Sequence, residues 1–159
     1  MDIKLIPAQT SVLIDSNIPI YHLGGLSVDC KACLSRVRNS EIKAYVTTIV
    51  IAETLHKRMI AEAIAKGLIS SGQPLKKLKA NPVTISSLTD YITDIENLLK
   101  LPLNVIETTL TDIAASHTLR QSYGLFVNDS INLARAQRLG VVNIVTHDTD
   151  FASVPGITV

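Results

Sequence analysis

The stretch SVLID, from Ser11 to Asp15, is central to the fold, because a short apolar run that ends in an acid is typical of a buried strand. Three more short apolar runs are predicted to be strands, at 44–47, 103–106 and 143–146. The last three residues, 157–159, are predicted to form an edge strand. Apolar residues recur at helical spacing over 28–38, 48–66, 86–100, 109–123 and 128–139. Strands that alternate with helices indicate an α/β fold with a mostly parallel sheet covered on both faces.

The composition is that of one globular domain. The chain has 159 residues, of which 47% are hydrophobic and 18% charged, so a single domain is predicted over residues 1–159. No apolar run reaches the roughly 18 residues of a membrane span, and the N-terminal MDIKLIPAQT lacks the pattern of a secretory signal. A net charge of +1 excludes a wholly basic protein that coats DNA, but it leaves a local basic groove open.

Two cysteines, Cys30 and Cys33, form a CxxC pair inside a segment that is predicted to be helical. A zinc site needs four ligands, and the sequence has neither a second CxxC nor paired histidines to complete one. A redox pair of the thioredoxin type follows a strand closely, which this pair does not. We therefore expect two reduced thiols, and with them a cytoplasmic protein that has no membrane partner.

Four acids are predicted to meet at one edge of the sheet. Asp15 ends the first strand, and Asp148 follows the fourth strand in the segment THDTDF. Glu53 lies in the second turn of the helix after the second strand, near its apolar face, and Asp129 opens a later helix. Singly, most of these acids have ordinary roles in turns or at helix N-termini, although a lone buried Glu53 would be costly.

Taken together, the four carboxylates would repel one another strongly at one sheet edge. A divalent cation relieves such repulsion, and a set of oxygen ligands suits Mg²⁺ or Mn²⁺. The usual chemistry of these ions in a carboxylate cleft is hydrolysis of a phosphodiester.

The segments VLIDSN, IAETLHK, NDSINLARAQRLG and NIVTHDTDF resemble those of the PIN-domain nucleases, particularly the toxins of the VapBC type, over about residues 11–159. The resemblance implies a three-layer α/β/α sandwich with a parallel sheet of four or five strands, in which the first and fourth strands lie side by side at the centre. It implies that the catalytic and metal-binding residues are Asp15, Glu53, Asp129 and Asp148. The implied activity is Mg²⁺- or Mn²⁺-dependent endonucleolytic cleavage, usually of RNA, by a homodimer that a cognate antitoxin silences.

The resemblance also implies supporting roles beside these acids. Thr146 is expected to hold the turn that presents Asp148. Asn17, which follows Asp15 by two residues, is expected to support the acids in a similar way. Asp150 is either a fifth acid at the rim or a structural partner of the following turn, and we favour the structural role. Ser130 departs mildly from the family pattern, because many relatives carry a small residue such as alanine after the third acid.

Residues 70–85 are predicted to be a loop insertion, because the segment SSGQPLKKLKAN contains Gly72 and Pro74 and is followed by Pro82. The lysine cluster (Lys76, Lys77 and Lys79) is the candidate RNA-binding surface of this loop, since a polyanion must be attracted by local basic groups. A solvated loop without any role in recognition is the alternative.

Other constellations and functions have less support. Glu53 and His56 form a Glu-x-x-His pair, but a di-iron bundle needs a second pair and two more glutamates. His147 is expected to point away from Asp148 and to bind no metal. A catalytically idle PIN-fold module that binds RNA or protein is the main alternative function, and the presence of all four acids argues against it. A structure-selective DNA nuclease is disfavoured by the short chain.

Overall fold

A computed structural model describes residues 6–159, in which a parallel sheet of four strands forms the middle layer. The strands are β1 (Ser11–Ile14), β2 (Lys43–Thr47), β3 (Asn104–Ile106) and β4 (Asn143–Val145). Their order is β3-β2-β1-β4, and every pairing is parallel. Parallel neighbours need crossover connections, which the helices between the strands supply. The predicted α/β fold with a parallel sheet is therefore confirmed.

Helices lie on both faces of this sheet. They are α1 (Asn17–Leu23), α2 (Val28–Arg38), α3 (Thr48–Ala65), α4 (Pro74–Ala80), α5 (Pro82–Ser87), α6 (Asp90–Leu99), α7 (Leu110–Tyr123) and α8 (Val127–Arg138). Within the described residues, no helix is both long enough and apolar enough to cross a membrane.

Side chains that alternate along β1 separate two cores. Val12 and Ile14 pack with residues of α2, α3 and α6, whereas Leu13 packs with residues of α8 and with Phe151. Successive side chains of a strand point to opposite faces, so a strand buried on both faces needs apolar residues at every position. This explains the continuous run VLI and gives the three layers that the sequence predicts.

Residues 70–85 differ from the prediction, because most of the predicted loop insertion is helical, within α4 and α5. Pro74 and Pro82 stand at the starts of these two helices, where a proline costs no hydrogen bond and its backbone angle is already suitable. Leu78 of α4 is buried against Ala63 and Leu88 in a third, small core. This packing, which joins α4 to α3, stabilises helices where the sequence suggests a loop.

Two further boundaries differ from the prediction. The helix expected over 86–100 begins only at Asp90, after α5 has ended at Ser87. The edge strand expected over 157–159 is a single bridge, in which Thr158 pairs with Asn143. As a consequence, β4 lies beside β1 as expected, but it is the outer strand of the sheet and not a central one.

Candidate active site

A cleft of about 640 Å³ opens beyond the carboxyl ends of β1, β2 and β4. All four predicted acids line it together, and we call it the acidic cleft: Asp15, Glu53, Asp129 and Asp148. Asp15 follows β1 directly, Glu53 comes from α3 and Asp129 from the first turn of α8. Parallel strands bring the starts of the following helices to this edge, which explains how residues so distant in sequence meet.

Asp15 is the most deeply placed of the four acids, with only 6% of its surface exposed. Its Oδ1 accepts a hydrogen bond from the Ser16 amide at 2.7 Å, and its Oδ2 accepts one from Thr146 Oγ1 at 2.8 Å. Burial raises the pKa of Asp15; these two hydrogen bonds oppose that effect, and the charges of Glu53 and Asp148 add to it. Asp15 is therefore fixed in orientation but electrostatically unfavourable as an anion.

The hydroxyl of Thr146 connects the end of β1 to the turn after β4. While donating to Asp15, Thr146 Oγ1 accepts hydrogen bonds from Asn17 Nδ2 at 2.8 Å and from the Asp148 amide at 2.9 Å. Asn17 Oδ1 in turn accepts from the His147 amide at 3.1 Å. Asn17 and Thr146 thus hold Asp15 and Asp148 in a common frame.

Asp129 is half-buried in the first turn of α8. Burial raises its pKa to about 6, with further contributions from the negative charges of Asp15, Asp148, Glu53 and Asp150. The helix N-terminus favours an anion at this position, yet it does not outweigh burial and the neighbouring charges. The neighbouring charges contribute to this shift because all four acids lie in one cleft.

Glu53 and Asp148 are more open to solvent. Glu53 is only partly buried, whereas the adjacent Thr54 is fully buried. Its Oε2 accepts a hydrogen bond from Asn128 Nδ2 at 3.3 Å. Asp148 is exposed, and its Oδ1 accepts one from the Asp150 amide at 3.0 Å.

Asp150 begins a short 3₁₀ turn (Asp150–Ser153) and is not among the residues that line the acidic cleft. The charge of Asp148, followed by burial, raises the pKa of its carboxyl. The structure therefore places Asp150 next to the site, where its backbone amide orients Asp148.

The donor set of the acidic cleft suits a hydrated hard cation. Within residues 6–159, no three His, Cys, Asp or Glu side chains are grouped closely enough to hold an ion by themselves. Mg²⁺ commonly keeps several waters and binds through one or two carboxylates, so a loose group of oxygen donors fits it. The raised pKa values of Asp15 and Asp129 point the same way, since added positive charge relieves the repulsion.

The lysine cluster is not part of the acidic cleft. Lys76 and Lys77 line a separate depression with Gly72 and Gln73, and the two sites share no lining residue. Lys77 Nζ contacts the backbone oxygen and hydroxyl of Ser70. Leu78 of α4, the helix that carries these lysines, packs against Ala63, near the end of α3 that is far from Glu53.

Several lining residues were not expected from the sequence, among them Tyr21, Lys57, Phe126 and Asn128. Lys57 follows Glu53 by four positions, and this spacing places both side chains on one face of a helix. Asn128 and Phe126 precede Asp129 closely in sequence. Their proximity to predicted acids was the only available signal, because exposed aromatic or amide residues have no periodicity to reveal them.

His147 faces away from the acids and contacts α1 and α2. Its Nε2 lies 3.1 Å from Cys30 Sγ and 3.4 Å from Ser27 Oγ, and its ring centroid is 5.3 Å from that of Tyr21. Both cysteines are free and buried, and burial raises the pKa of the Cys33 thiol to about 12. Such thiols are poor nucleophiles and packed like other core side chains.

Comparison with known proteins points to one family. The model of the family described as "PIN domain" matches residues 12–157 of this chain. No curated protein matches the chain.

Three solved structures share the fold. The first is VapBC2 from Rickettsia felis bound to a DNA fragment from its promoter, with 15% sequence identity and a TM-score of 0.58; the match covers 93% of this chain and 96% of that chain. The second is a toxin–antitoxin complex from Klebsiella pneumoniae, with 22% identity and a TM-score of 0.55 over 93% of this chain and 96% of that chain. The third is VapC20 from Mycobacterium tuberculosis, a toxin that cleaves the sarcin–ricin loop, with 10% identity and a TM-score of 0.60 over 93% of this chain and 98% of that chain. Because these sequence identities are low, the similarity is evidence for a shared fold alone.

Proposed function

The chain belongs to the PIN domain family, and on that premise we propose that it is a divalent-metal-dependent endoribonuclease, the toxin of a toxin–antitoxin pair in the cytoplasm. One observation carries the proposal. Four carboxylates from distant parts of the chain line one open cleft, where burial, together with the charges of the neighbouring acids, raises the pKa of Asp129 to about 6. A stable fold has no need of such repulsion, whereas a cation-dependent hydrolase does.

Asp15, Asp129 and Asp148 would hold Mg²⁺ or Mn²⁺ through their carboxylate oxygens. When bound, such an ion supplies positive charge against the phosphate and makes a water molecule more acidic. Thr146 and Asn17 keep Asp15 and Asp148 in a fixed relative position, so that little reorganisation is needed when substrate arrives.

Glu53 has one of two roles in this proposal: it binds a second ion, or it orients the attacking water. Asn128 Nδ2 donates to Glu53 Oε2 and thereby restricts the rotation of the carboxylate. The water oxygen forms a bond to phosphorus and gives up a proton to solvent, and the bond from phosphorus to the 3′ oxygen breaks. The 3′ oxygen takes up a proton, and the products carry a 5′-phosphate and a 3′-hydroxyl.

The partners are part of the proposal. Two of the structural neighbours are complexes of a toxin with its antitoxin, and this supports a cognate antitoxin for the present chain. Exposed apolar side chains such as Leu26, Val28 and Val83 support a homodimer, because a monomer gains nothing from exposing them.

The decisive experiment is cleavage of a mixed RNA pool by the pure protein, with Mn²⁺ in one reaction and EDTA in a matched one. New ends are then mapped by sequencing. We expect 5′-phosphate ends at a limited set of sites with Mn²⁺ and none with EDTA. Equal cleavage in both reactions would refute metal dependence, and no cleavage in either would refute the ribonuclease.

A catalytically idle PIN-fold module remains the second candidate, because no three acids of residues 6–159 are grouped tightly enough to chelate an ion unaided. RNA binding in the pool experiment without any new ends, at every Mn²⁺ concentration, would favour it.

A further inference from the structure

Phe126 is exposed at a position where local physics disfavours an aromatic ring. It is 75% exposed, while the other phenylalanine of the chain, Phe151, is fully buried. Phe126 is also the N-cap of α8, and its side chain makes no capping hydrogen bond. Ser, Thr, Asp and Asn are the residues that stabilise a helix from this position. A residue that breaks two local rules without a packing benefit points to a function outside the fold.

The surroundings of Phe126 indicate which function. It lines the acidic cleft three residues before Asp129, beside Val127, which is 56% exposed. On another wall of the cleft, Tyr21 exposes 37% of its surface. Lys57 is the only lysine or arginine among the residues that line it. Proteins bind single-stranded nucleic acid by stacking bases on aromatic side chains and by placing cations against the phosphates.

We propose that Phe126 is a specificity-determining residue that stacks against an unpaired base beside the scissile phosphate, while Lys57 Nζ contacts a neighbouring phosphate. The inference rests on the proposed ribonuclease function and adds the feature of the substrate that the cleft selects. A base inside a duplex already has both faces stacked, so it has no face to offer to Phe126. An unpaired nucleotide has one, whatever its identity, because every base has a flat π face.

The first test compares the kcat/KM of the wild type with that of three variants, on a single-stranded RNA that the wild type cleaves. F126L retains an apolar side chain but loses the ring, and it removes no capping hydrogen bond, so folding should be unaffected. We expect F126L to lose roughly tenfold or more in kcat/KM, as typical stacking contributions imply. F126W, which keeps an aromatic face, restores cleavage towards wild type. The matched control is L110A, since Leu110 is 83% exposed but lies on α7 outside the cleft.

The second test uses the absence of tryptophan from the chain. In a D148N background, where RNA stays intact, the F126W indole is the only one present. Titration with single-stranded RNA should quench its fluorescence, whereas a duplex of the same sequence should not. The control L110W should respond to neither. Fluorescence that changes with protein concentration in the absence of RNA would instead place Phe126 in a contact between two copies and overturn the inference.

The outcomes separate this inference from the proposed function. If the wild-type protein cleaves RNA and F126L cleaves it equally well, only the role of Phe126 is refuted. If the wild-type protein neither binds nor cleaves RNA, the proposed function fails and the inference fails with it. A duplex that is bound and cleaved as well as a single strand would also refute selection for an unpaired base.

Discussion

Glu62 provides the sharpest test of how the helices that carry the site are held. It is a buried acid of α3, and its carboxylate accepts hydrogen bonds from the amides of Thr89 and Tyr91 at 3.0 and 2.9 Å. These amides lie at the start of α6, whose own N-cap Thr89 makes no side-chain cap. Lys66 Nζ binds the same carboxylate. Glu62 therefore caps α6 from a neighbouring helix and ties α6 to the helix that bears Glu53 and Lys57.

The expected size of this contribution follows from the ionisation of Glu62. Burial opposes the charge, but the hydrogen bonds from Lys66, Tyr91 and Thr89 outweigh burial and lower the pKa from 4.5 to about 2. That difference corresponds to about 3 kcal/mol at pH 7, at ~1.4 kcal/mol for each tenfold change in the dissociation constant. Because glutamine keeps one acceptor oxygen, E62Q should lose about 2 kcal/mol, or roughly 4–8 °C in Tm for a chain of this size.

The dependence on pH makes the test specific. The folded pKa of Glu62 is depressed, so its stabilisation is complete above about pH 5 and is lost as the pH falls towards 2. Thermal melting of wild type and E62Q should therefore differ at pH 7 and converge in acid. E96Q is the matched control, because Glu96 is an exposed acid of α6. A difference that persists unchanged at low pH, or an equal effect of E96Q, would refute this explanation.

Four further predictions concern the site and its partners. D15N and D148N are each expected to abolish cleavage and to leave the circular dichroism spectrum unchanged; full activity in both variants would contradict the nuclease assignment. Mn²⁺ should raise the Tm of the wild type relative to EDTA, and by less in D148N, because a ligand of the folded state stabilises it; identical melting curves would argue against a metal site. With a mean hydropathy of +0.29, the protein should self-associate, and light scattering that reports a monomer at all concentrations would disprove it. Alanine at all three positions of the lysine cluster should weaken RNA binding and its salt dependence without altering the cleavage motif; a loss of antitoxin affinity alone would make that cluster a partner surface.

The sheet and its acidic edge were predictable because they depend on short-range patterns. A run such as Val12 to Ile14, buried on both faces, has a continuous apolar signature that needs no knowledge of its neighbours. Once the strands are parallel, their carboxyl ends must share an edge, and Asp15 and Asp148 follow at once. Thr47 caps α3 in an equally local way, because its hydroxyl oxygen accepts a hydrogen bond from the amide of Val50, three residues further on.

Residues 70–85 were predicted wrongly because their structure depends on distant contacts. Pro74 and Gly72 are local signals of a loop, and the local signals are correct in that the chain does turn there. Burial of Leu78 against Ala63 and Leu88 is what makes α4 a helix, and no pattern within the segment contains that information. The surface position of Lys57 and Phe126 in the cleft depends in the same way on how α3 and α8 approach one another.

Glu53 belongs to the site through its position among the other acids, not through its burial. From the sequence, its importance rested on burial of a lone carboxylate, but the structure leaves it partly exposed and bonded to Asn128. The site is distinguished by four carboxylates from distant parts of the chain that line one cleft. The charges of Asp15, Asp148 and Glu53 add to burial in raising the pKa of Asp129 to about 6. Burial of any one acid is compatible with a structural role, whereas mutual repulsion among four acids costs stability unless something positive is bound among them.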